Sequence, residues 1–362
     1  MHDERPIRHA PVPSDDAGVS FVMPVLNEES YLERAVRSVL AQDVPGPTEF
    51  VLALGPSTDS TDAIARRLAA EDPRVRLVDN PDADIPRGLN RAIRASSYPT
   101  VVRVDAHSEL TPGYVRRALE TLARTDAASV GGVMRADGHT AFQRAVARAY
   151  NSPIGLGGAN YHGGTHESEA ESAYLGVMRR EVLDEVGLYD ESIRRGEDWE
   201  LNLRIRRAGY RVWFDPKLVV TYWPRDSWVR LVRQFLATGA WRGELVRRYG
   251  RRNSLRFFAP PALVVVAALA VVAGVLQSMR MLRGPAAAVA SLIYIPLALY
   301  VLVVSFSAAG RHGGTGWRDR LWTAAVLPTI HLAWGFGFLR GALMGAHDTV
   351  DTSRLTTDAP PA

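Results

Sequence analysis

Along the first half of the chain, short apolar runs alternate with stretches in which apolar residues return every three or four positions. Val19–Val25 has the nearly unbroken apolar character of a buried strand, and an amphipathic helical pattern follows from about Ser30 to Gln42. Glu49–Leu54 predicts a second strand, with a helix from about Ser60 to Ala70. Val75–Val78 and Thr100–Val104 predict two more strands, separated by a helix around Gly88–Ala95. This rhythm argues for an α/β domain built on a mostly parallel sheet with helices on both faces. Ligands of such sheets bind beyond the carboxyl ends of the strands, so the residues just after each strand are the first candidates for chemistry.

The pattern changes near Phe257. Three long apolar runs follow, Phe257–Leu276, Pro285–Ala309 and Leu321–Leu339. Each is close to the roughly 20 residues that cross a bilayer as a helix. Buried helices of a second soluble domain are the alternative, opposed by the length of the runs and their freedom from charge. Arg247, Arg248, Arg251, Arg252 and Arg256 precede the first run, and Arg311, Arg318 and Arg320 lie between the second and third. The loop between the first two carries only Arg280 and Arg283. The positive-inside tendency then puts the N-terminal domain in the cytoplasm and the C-terminus outside. Before the first run, Trp228–Tyr249 mixes large apolar residues with arginines, which suits a helix in the membrane interface or one covering a groove on the domain. The expected boundaries are a disordered tail over 1–18, a catalytic domain over 19–227, an amphipathic segment over 228–256, three membrane spans over 257–340 and a disordered tail over 341–362.

Composition narrows the function classes. The formal charge is +4 over 362 residues, and the arginines cluster before the first apolar run rather than forming a basic, aromatic-laced stripe. That points to an anionic membrane or substrate and away from nucleic acid. The absence of cysteine excludes disulfide and thiolate chemistry. Met1 to Gly18 is polar, with no apolar signal-peptide core.

Three acidic features stand at strand ends. Asp59 lies in the turn Gly55-Pro56-Ser57-Thr58-Asp59-Ser60-Thr61, where by itself a helix-capping role is the better explanation. Asp105-Ala106-His107 follows the strand Thr100–Val104; a carboxylate and an imidazole there could hold a divalent cation against a diphosphate, or form an ordinary turn. Gly196-Glu197-Asp198-Trp199-Glu200-Leu201 opens a helix running to about Arg207. Its acids are either favoured by the helix dipole or include a general base for an acceptor hydroxyl. The segment Gly155–Gly158 with His162, Gly163, Gly164 and His166 could be a lid, and its histidines metal ligands or plain loop residues.

In order, Pro24-Val25-Leu26-Asn27-Glu28, Ser57-Thr58-Asp59-Ser60-Thr61, Asp105-Ala106-His107 and Glu197-Asp198 resemble the motifs of family 2 glycosyltransferases of the GT-A fold, over about Val19 to Tyr249. Arg103 to Ser108, Gly155 to Ala159, Asp215-Pro216, Tyr222-Trp223-Pro224-Arg225 and Gln234 through Trp241-Arg242 are similar to the succinoglycan-type exopolysaccharide glucosyltransferases. The resemblance implies that Pro24, Asn27, Glu28 and Asp59 line the nucleotide pocket. It further implies that Asp105 and His107 hold manganese or magnesium at the donor diphosphate, His107 replacing a second aspartate. Asp198 would be the general base of an inverting transfer, Glu197 would shape the acceptor side, and Gln234, Trp241 and Arg242 would join the nucleotide-sugar site. Leu54-Gly55-Pro56 stands where the family often has Asp-Asp-Gly, and the Gln-x-x-Arg-Trp motif of processive synthases is not intact. The resemblance therefore implies transfer of one sugar, with glucose from a UDP donor the expected case.

A polyprenyl-diphosphate-linked acceptor follows from a catalytic domain tethered beside a bilayer, and Arg247–Arg256 could attract its diphosphate or serve topology alone. A processive synthase is one alternative. A catalytically silent scaffold that binds nucleotide sugar is another, and turnover separates it from an enzyme.

Overall fold

The computed structural model describes residues 7–10, 17–156, 164–250, 255–310, 316–347 and 349. They form two compact units, one from the described residues of Met1–Ala136 and Ala159–Trp223, the other from those of Asp137–Gly158 and Pro224–Ser353. In chain order the elements begin β1 (Val19–Val25), α1 (Leu32–Leu40), β2 (Thr48–Leu54), α2 (Thr61–Glu71), β3 (Val75–Asp79), α3 (Ile85–Ala95) and β4 (Thr100–Arg103). There follow β5 (Ser108–Leu110), α4 (Tyr114–Thr125), β6 (Ala127–Ala136), α5 (Ala141–Tyr150), α6 (Pro153–Leu156), β7 (Ser168–Glu169) and β8 (Val177–Arg179). The remainder are α7 (Arg180–Val186), α8 (Glu197–Arg207), β9 (Arg211–Tyr222), α9 (Trp228–Tyr249), α10 (Ala259–Ser278), α11 (Gly284–Ser291), α12 (Tyr294–Ala309) and α13 (Trp317–Met344).

The first unit is organised by one sheet of order β3-β2-β1-β4-β8-β6-β9-β5, with β7 on β9. Strands β3, β2, β1 and β4 run parallel to one another, as the β-α alternation predicts. Beyond β4 the sheet becomes mixed: β8 is antiparallel to both β4 and β6, whereas β6 and β9 are parallel. Helices cover both faces. Phe21, Met23, Phe50 and Leu52 pack with Leu32 and Val36 of α1 and with α4 on one side, while Val22, Val51 and Val101 pack with Leu89 and Ile93 of α3 and Leu201 and Ile205 of α8 on the other. Burial on both faces is why these strands read as apolar runs instead of alternating. Helix α3 begins at Ile85, ahead of the predicted start, because Asp84 caps it by accepting from the Arg87 N–H and Pro86 suits the first turn.

The second unit is helical. Among its described residues are three helices long and apolar enough to cross a membrane: Leu255–Ser278, the α11–α12 stretch Gly284–Ala309, and Trp317–Met344. Helices α9 and α13 run side by side in one direction, since Trp228 meets Trp322 and Gly239 and Gly243 meet Trp334 and Phe338. Glycine makes the approach possible. A Cβ on Gly341 would stand 1.9 Å from the Ala240 carbonyl oxygen, and one on Gly243 would stand 2.2 Å from that of Phe338. The repeats Gly239-x-x-x-Gly243 and Gly337-x-x-x-Gly341 thus bring two backbones into contact.

Candidate active site

The ends of β1, β2 and β4 lie together because Val25 is registered with Leu54 and Val22 with Arg103. Beyond β1, Asn27 takes a left-handed backbone (φ 52°), which asparagine tolerates better than most residues. Its side-chain oxygen accepts from the Thr58 N–H at 2.8 Å, and its own N–H donates to Ser57 Oγ at 3.1 Å. The next two N–H groups are taken by the same turn: Glu28 donates to Thr61 Oγ1 at 2.7 Å and Glu29 to Asp59 Oδ2 at 3.3 Å. Asp59 Oδ1 also accepts from the Thr61 N–H at 3.0 Å. Asp59, one residue before the Ser60 N-cap of α2, thus holds the first N–H of the helix, and the turn after β2 is zipped to the loop after β1. Pro24 is half-buried at the end of β1.

At the end of β4 stands a residue that the sequence pattern did not single out. Arg103 is buried at 4 % exposure and faces three carboxylates. Its Nε is 3.2 Å from Asp105 Oδ1, and its Nη1 is 2.9 Å from Glu197 Oε1 and 2.5 Å from Asp198 Oδ1. The guanidinium also lies 5.7 Å from the centre of the Tyr189 ring, whose hydroxyl is 3.4 Å from Asp198 Oδ1. Helix α8 brings Glu197 and Asp198 here with its first turn, entered through Gly196 at φ 80°. The third acid of that turn, Glu200, is buried and accepts from Arg204 Nε at 2.9 Å, so it serves the helix.

One guanidinium shared by three carboxylates leaves the cluster short of positive charge. Burial pushes the Asp198 carboxyl up to about 7; Arg103 opposes that rise, while Glu197 and Asp105 reinforce it. Arg103 is held still more firmly charged: burial works against it, but Asp105, Asp198 and Glu197 outweigh burial. The Asp198 side chain keeps 22 % of its surface open, enough for a hydroxyl to reach it. A carboxylate tuned close to neutrality suits proton removal at physiological pH.

His107, two residues after Asp105, faces Glu28. Its Nδ1 is 3.3 Å from Glu28 Oε1, and its ring meets Tyr222 edge-on at 5.2 Å. Nearby, Glu109 accepts from Trp223 Nε1 at 3.0 Å and pairs with Arg34 at 3.0 Å, which ties the β9 end to α1. Asp215 is fully buried and holds Arg117 and Thr121, an architectural use of the Asp215-Pro216 motif. Gln234, Trp241 and Arg242 belong to the second unit. Gln234 accepts from the Tyr150 hydroxyl at 3.2 Å, Trp241 is buried with its indole N–H donating to the Thr349 carbonyl, and Arg242 lies 4.1 Å over the Phe257 ring. His166 contacts Thr165, and His162, Gly157, Gly158 and Gly163 lie outside the described residues. Among the described residues no group of three or more His, Asp or Glu side chains could hold a metal.

The Glycosyl transferase family 2 model matches residues 20–187, covering β1 through β8. The succinoglycan biosynthesis protein ExoA of Rhizobium meliloti is 34 % identical over 327 residues, which is 89 % of this chain and 94 % of that protein. A dolichyl N-acetyl-α-D-glucosaminyl phosphate 3-β-D-2,3-diacetamido-2,3-dideoxy-β-D-glucuronosyltransferase of Methanococcus voltae is 22 % identical over 66 % of this chain and 77 % of its own length. Among solved structures, the mannosyltransferase PcManGT of Pyrobaculum calidifontis, in complex with GDP-Man and Mn2+, superposes with a TM-score of 0.57. It shares 19 % identity, and the match covers 93 % of this chain and 90 % of that one. The strand-end acids, the sheet that presents them and a relationship spanning nearly the whole chain converge: this chain belongs to glycosyltransferase family 2 and is a hexosyltransferase.

Proposed function

We propose that the enzyme transfers a single sugar, glucose from a UDP donor, to a polyprenyl-diphosphate-linked saccharide in exopolysaccharide or cell-envelope glycan assembly. The observation that carries this reading is Arg103, which joins Asp105 on one side to Glu197 and Asp198 on the other. Residues expected at the donor and residues expected at the acceptor thus share one buried cation. Asp198 takes the proton from the acceptor hydroxyl, the acceptor's oxygen attacks the anomeric carbon, and the bond to the departing nucleoside diphosphate breaks. A single displacement of this kind inverts the anomeric centre. Glu197 shapes the acceptor side, and Pro24, Asn27, Glu28 and Asp59 line the nucleotide.

The donor set at β4, one carboxylate and one imidazole, fits a divalent cation that takes its remaining ligands from phosphate oxygens and water. Asp105 and His107 would hold it, and it would offset the charge gathering on the leaving diphosphate. The membrane is the bacterial inner membrane and the first unit is cytoplasmic, in keeping with the arginines ahead of α10.

The test is nucleotide release by detergent-purified protein given UDP-, GDP- and dTDP-sugars, membrane lipid extract and manganese. Lipid-dependent release from one donor, lost in Asp198→Asn and Asp105→Ala, is the expected result. Donor binding without turnover in an acceptor-rich extract would instead identify a non-catalytic nucleotide-sugar scaffold.

A further inference from the structure

Length and composition admit three membrane crossings, but packing sets the third helix apart. Half of the apolar window of α13 is buried against protein, compared with 11 % and 6 % for the two other candidates. Its partners are not membrane helices alone. Helix α9 lies flush along it from Trp322 to Gly341, with the glycine contacts holding the two backbones together. Helix α9 carries Arg230, Arg233, Arg242, Arg247 and Arg248 along its 22 residues, about 33 Å at the helical rise. If α13 crossed the hydrocarbon, it would take this charged helix in with it, where arginine is strongly disfavoured.

One hydrogen bond joins α13 to a candidate membrane helix, the 2.8 Å bond between the Tyr300 hydroxyl of α12 and His331 Nδ1; the other contacts lead away from the bilayer or to the start of α10. Near its start, Thr323 Oγ1 accepts from Arg148 Nε of α5 at 3.1 Å. At mid-helix, His331 Nε2 donates to the Ile154 carbonyl of α6 at 2.9 Å. Toward its end, Trp334 and Phe338 pack on Phe257 and Phe258, and Gly335 lies against Pro260 in the first turn of α10. Gly335 comes 18 residues after Trp317, about 27 Å along the helix. A helix entering the membrane beside α10 would be near the far side by then; instead, α13 is still at the point where α10 begins.

The face of α13 turned away from these partners is apolar. Trp317, Leu321, Leu332, Phe336 and Leu343, spaced by 4, 11, 4 and 7 residues, fall on one side of the helix, and all are exposed. Arg318, Arg320 and Arg340 sit at its two ends. A long apolar stripe flanked by arginines and backed by a charged helix matches an element lying in the headgroup–acyl boundary.

We infer that α13, with α9 behind it, lies in the plane of the membrane surface and binds the lipid monolayer. The chain then crosses only twice, through α10 and through α11–α12, and both its ends lie on one side. This inference does not rest on the transferase reading, because activity forms no part of its test.

The chain has no cysteine, so single introduced thiols report unambiguously. Asp226→Cys, ahead of α9, Met279→Cys, between α10 and α11, and Ser353→Cys, in the C-terminal tail, would be treated in sealed cells with a membrane-impermeant maleimide. The expected result is labelling of Met279→Cys alone, with Ser353→Cys reacting only after permeabilisation, as Asp226→Cys does. Labelling of Ser353→Cys in sealed cells would overturn the inference. Spin labels at Leu321→Cys, Leu332→Cys and Leu343→Cys, in protein reconstituted into vesicles containing anionic lipid, supply an independent reading. Uniform shallow depth is expected; a gradient with Leu332→Cys deepest would show a crossing helix.

Discussion

Asp198 touches a guanidinium at 2.5 Å, yet burial pushes its carboxyl up to about 7, because that guanidinium is divided among three acids and only partly opposes the rise. The sign follows directly. A general base works when deprotonated, so kcat/KM should rise as pH passes through about 7 and level off above it. Asp198→Asn should keep donor binding and lose turnover by about a hundred- to ten-thousandfold, measured as nucleotide release. Arg103→Gln removes the single charge opposing the rise, so the acid limb should move to higher pH and the melting temperature should fall. Breaking a buried ion pair commonly costs about 3–5 kcal/mol. An unmoved limb would mean that Arg103 supports the fold without tuning the base. Chelation should abolish turnover and manganese restore it, while His107→Asp, which exchanges an imidazole for a harder carboxylate, should shift metal preference towards magnesium.

Much of this site was legible in the sequence and one part was not. Asn27, Asp59, Asp105, His107, Glu197 and Asp198 all follow strands or open helices, where an acid or amide after an apolar run attracts notice. Arg103 lies inside the run Thr100-Val101-Val102-Arg103, all of it buried, and reads there as a mere interruption. Its meaning depends on Glu197 and Asp198, which α8 delivers from far along the chain and which no local spacing reveals. The subgroup likeness of Arg103 to Ser108 was the one signal that could have raised it.

At the scale of elements, β1, β2 and β4 match their predicted runs because each is covered on both faces, whereas β3, at the sheet edge, is only partly covered. The later strands were less legible: β6 contains Gly131-Gly132 and β9 contains Asp215-Pro216, with a register shift between Gly131 and Val133 where they pair. Glycine, proline and a bulge blur the apolar signature of a strand. Helix α9 was expected as an interfacial or groove-covering segment, and its mixed surface has a concrete explanation in α13. The contact depends on missing side chains. Gly341→Leu would drive a branched side chain into the Ala240 carbonyl, and overpacking of this kind costs about 1–3 kcal/mol when neighbours can shift. Here the obstacle is backbone, so we expect a clear drop in thermal stability in detergent and earlier proteolysis within α9. The same change at Val265, exposed on α10, should leave both unchanged.

Across the whole molecule, the acids and Arg103 belong entirely to the first unit, whereas every candidate membrane helix belongs to the second. Each has its own packed interior: the two faces of the sheet in one, the α9–α13 pair in the other. On the proposed reading, donor recognition belongs to the first unit and access to a lipid acceptor to the second, and the two should fail independently. In Gly341→Leu, titration calorimetry with UDP-glucose should return a dissociation constant close to that of the unaltered protein, while lipid-dependent nucleotide release falls. In Asp105→Ala the donor affinity itself should weaken, with flotation on lipid vesicles unchanged. The crossed pattern also decides the part played by Gln234, Trp241 and Arg242, which the family resemblance assigns to the donor but which lie in the helical unit. Were Gly341→Leu to lose donor binding along with turnover, the α9 residues would be donor contacts and the division of labour between the units would be wrong. Retained binding would confine donor recognition to the strand ends and leave α9 and α13 to the membrane.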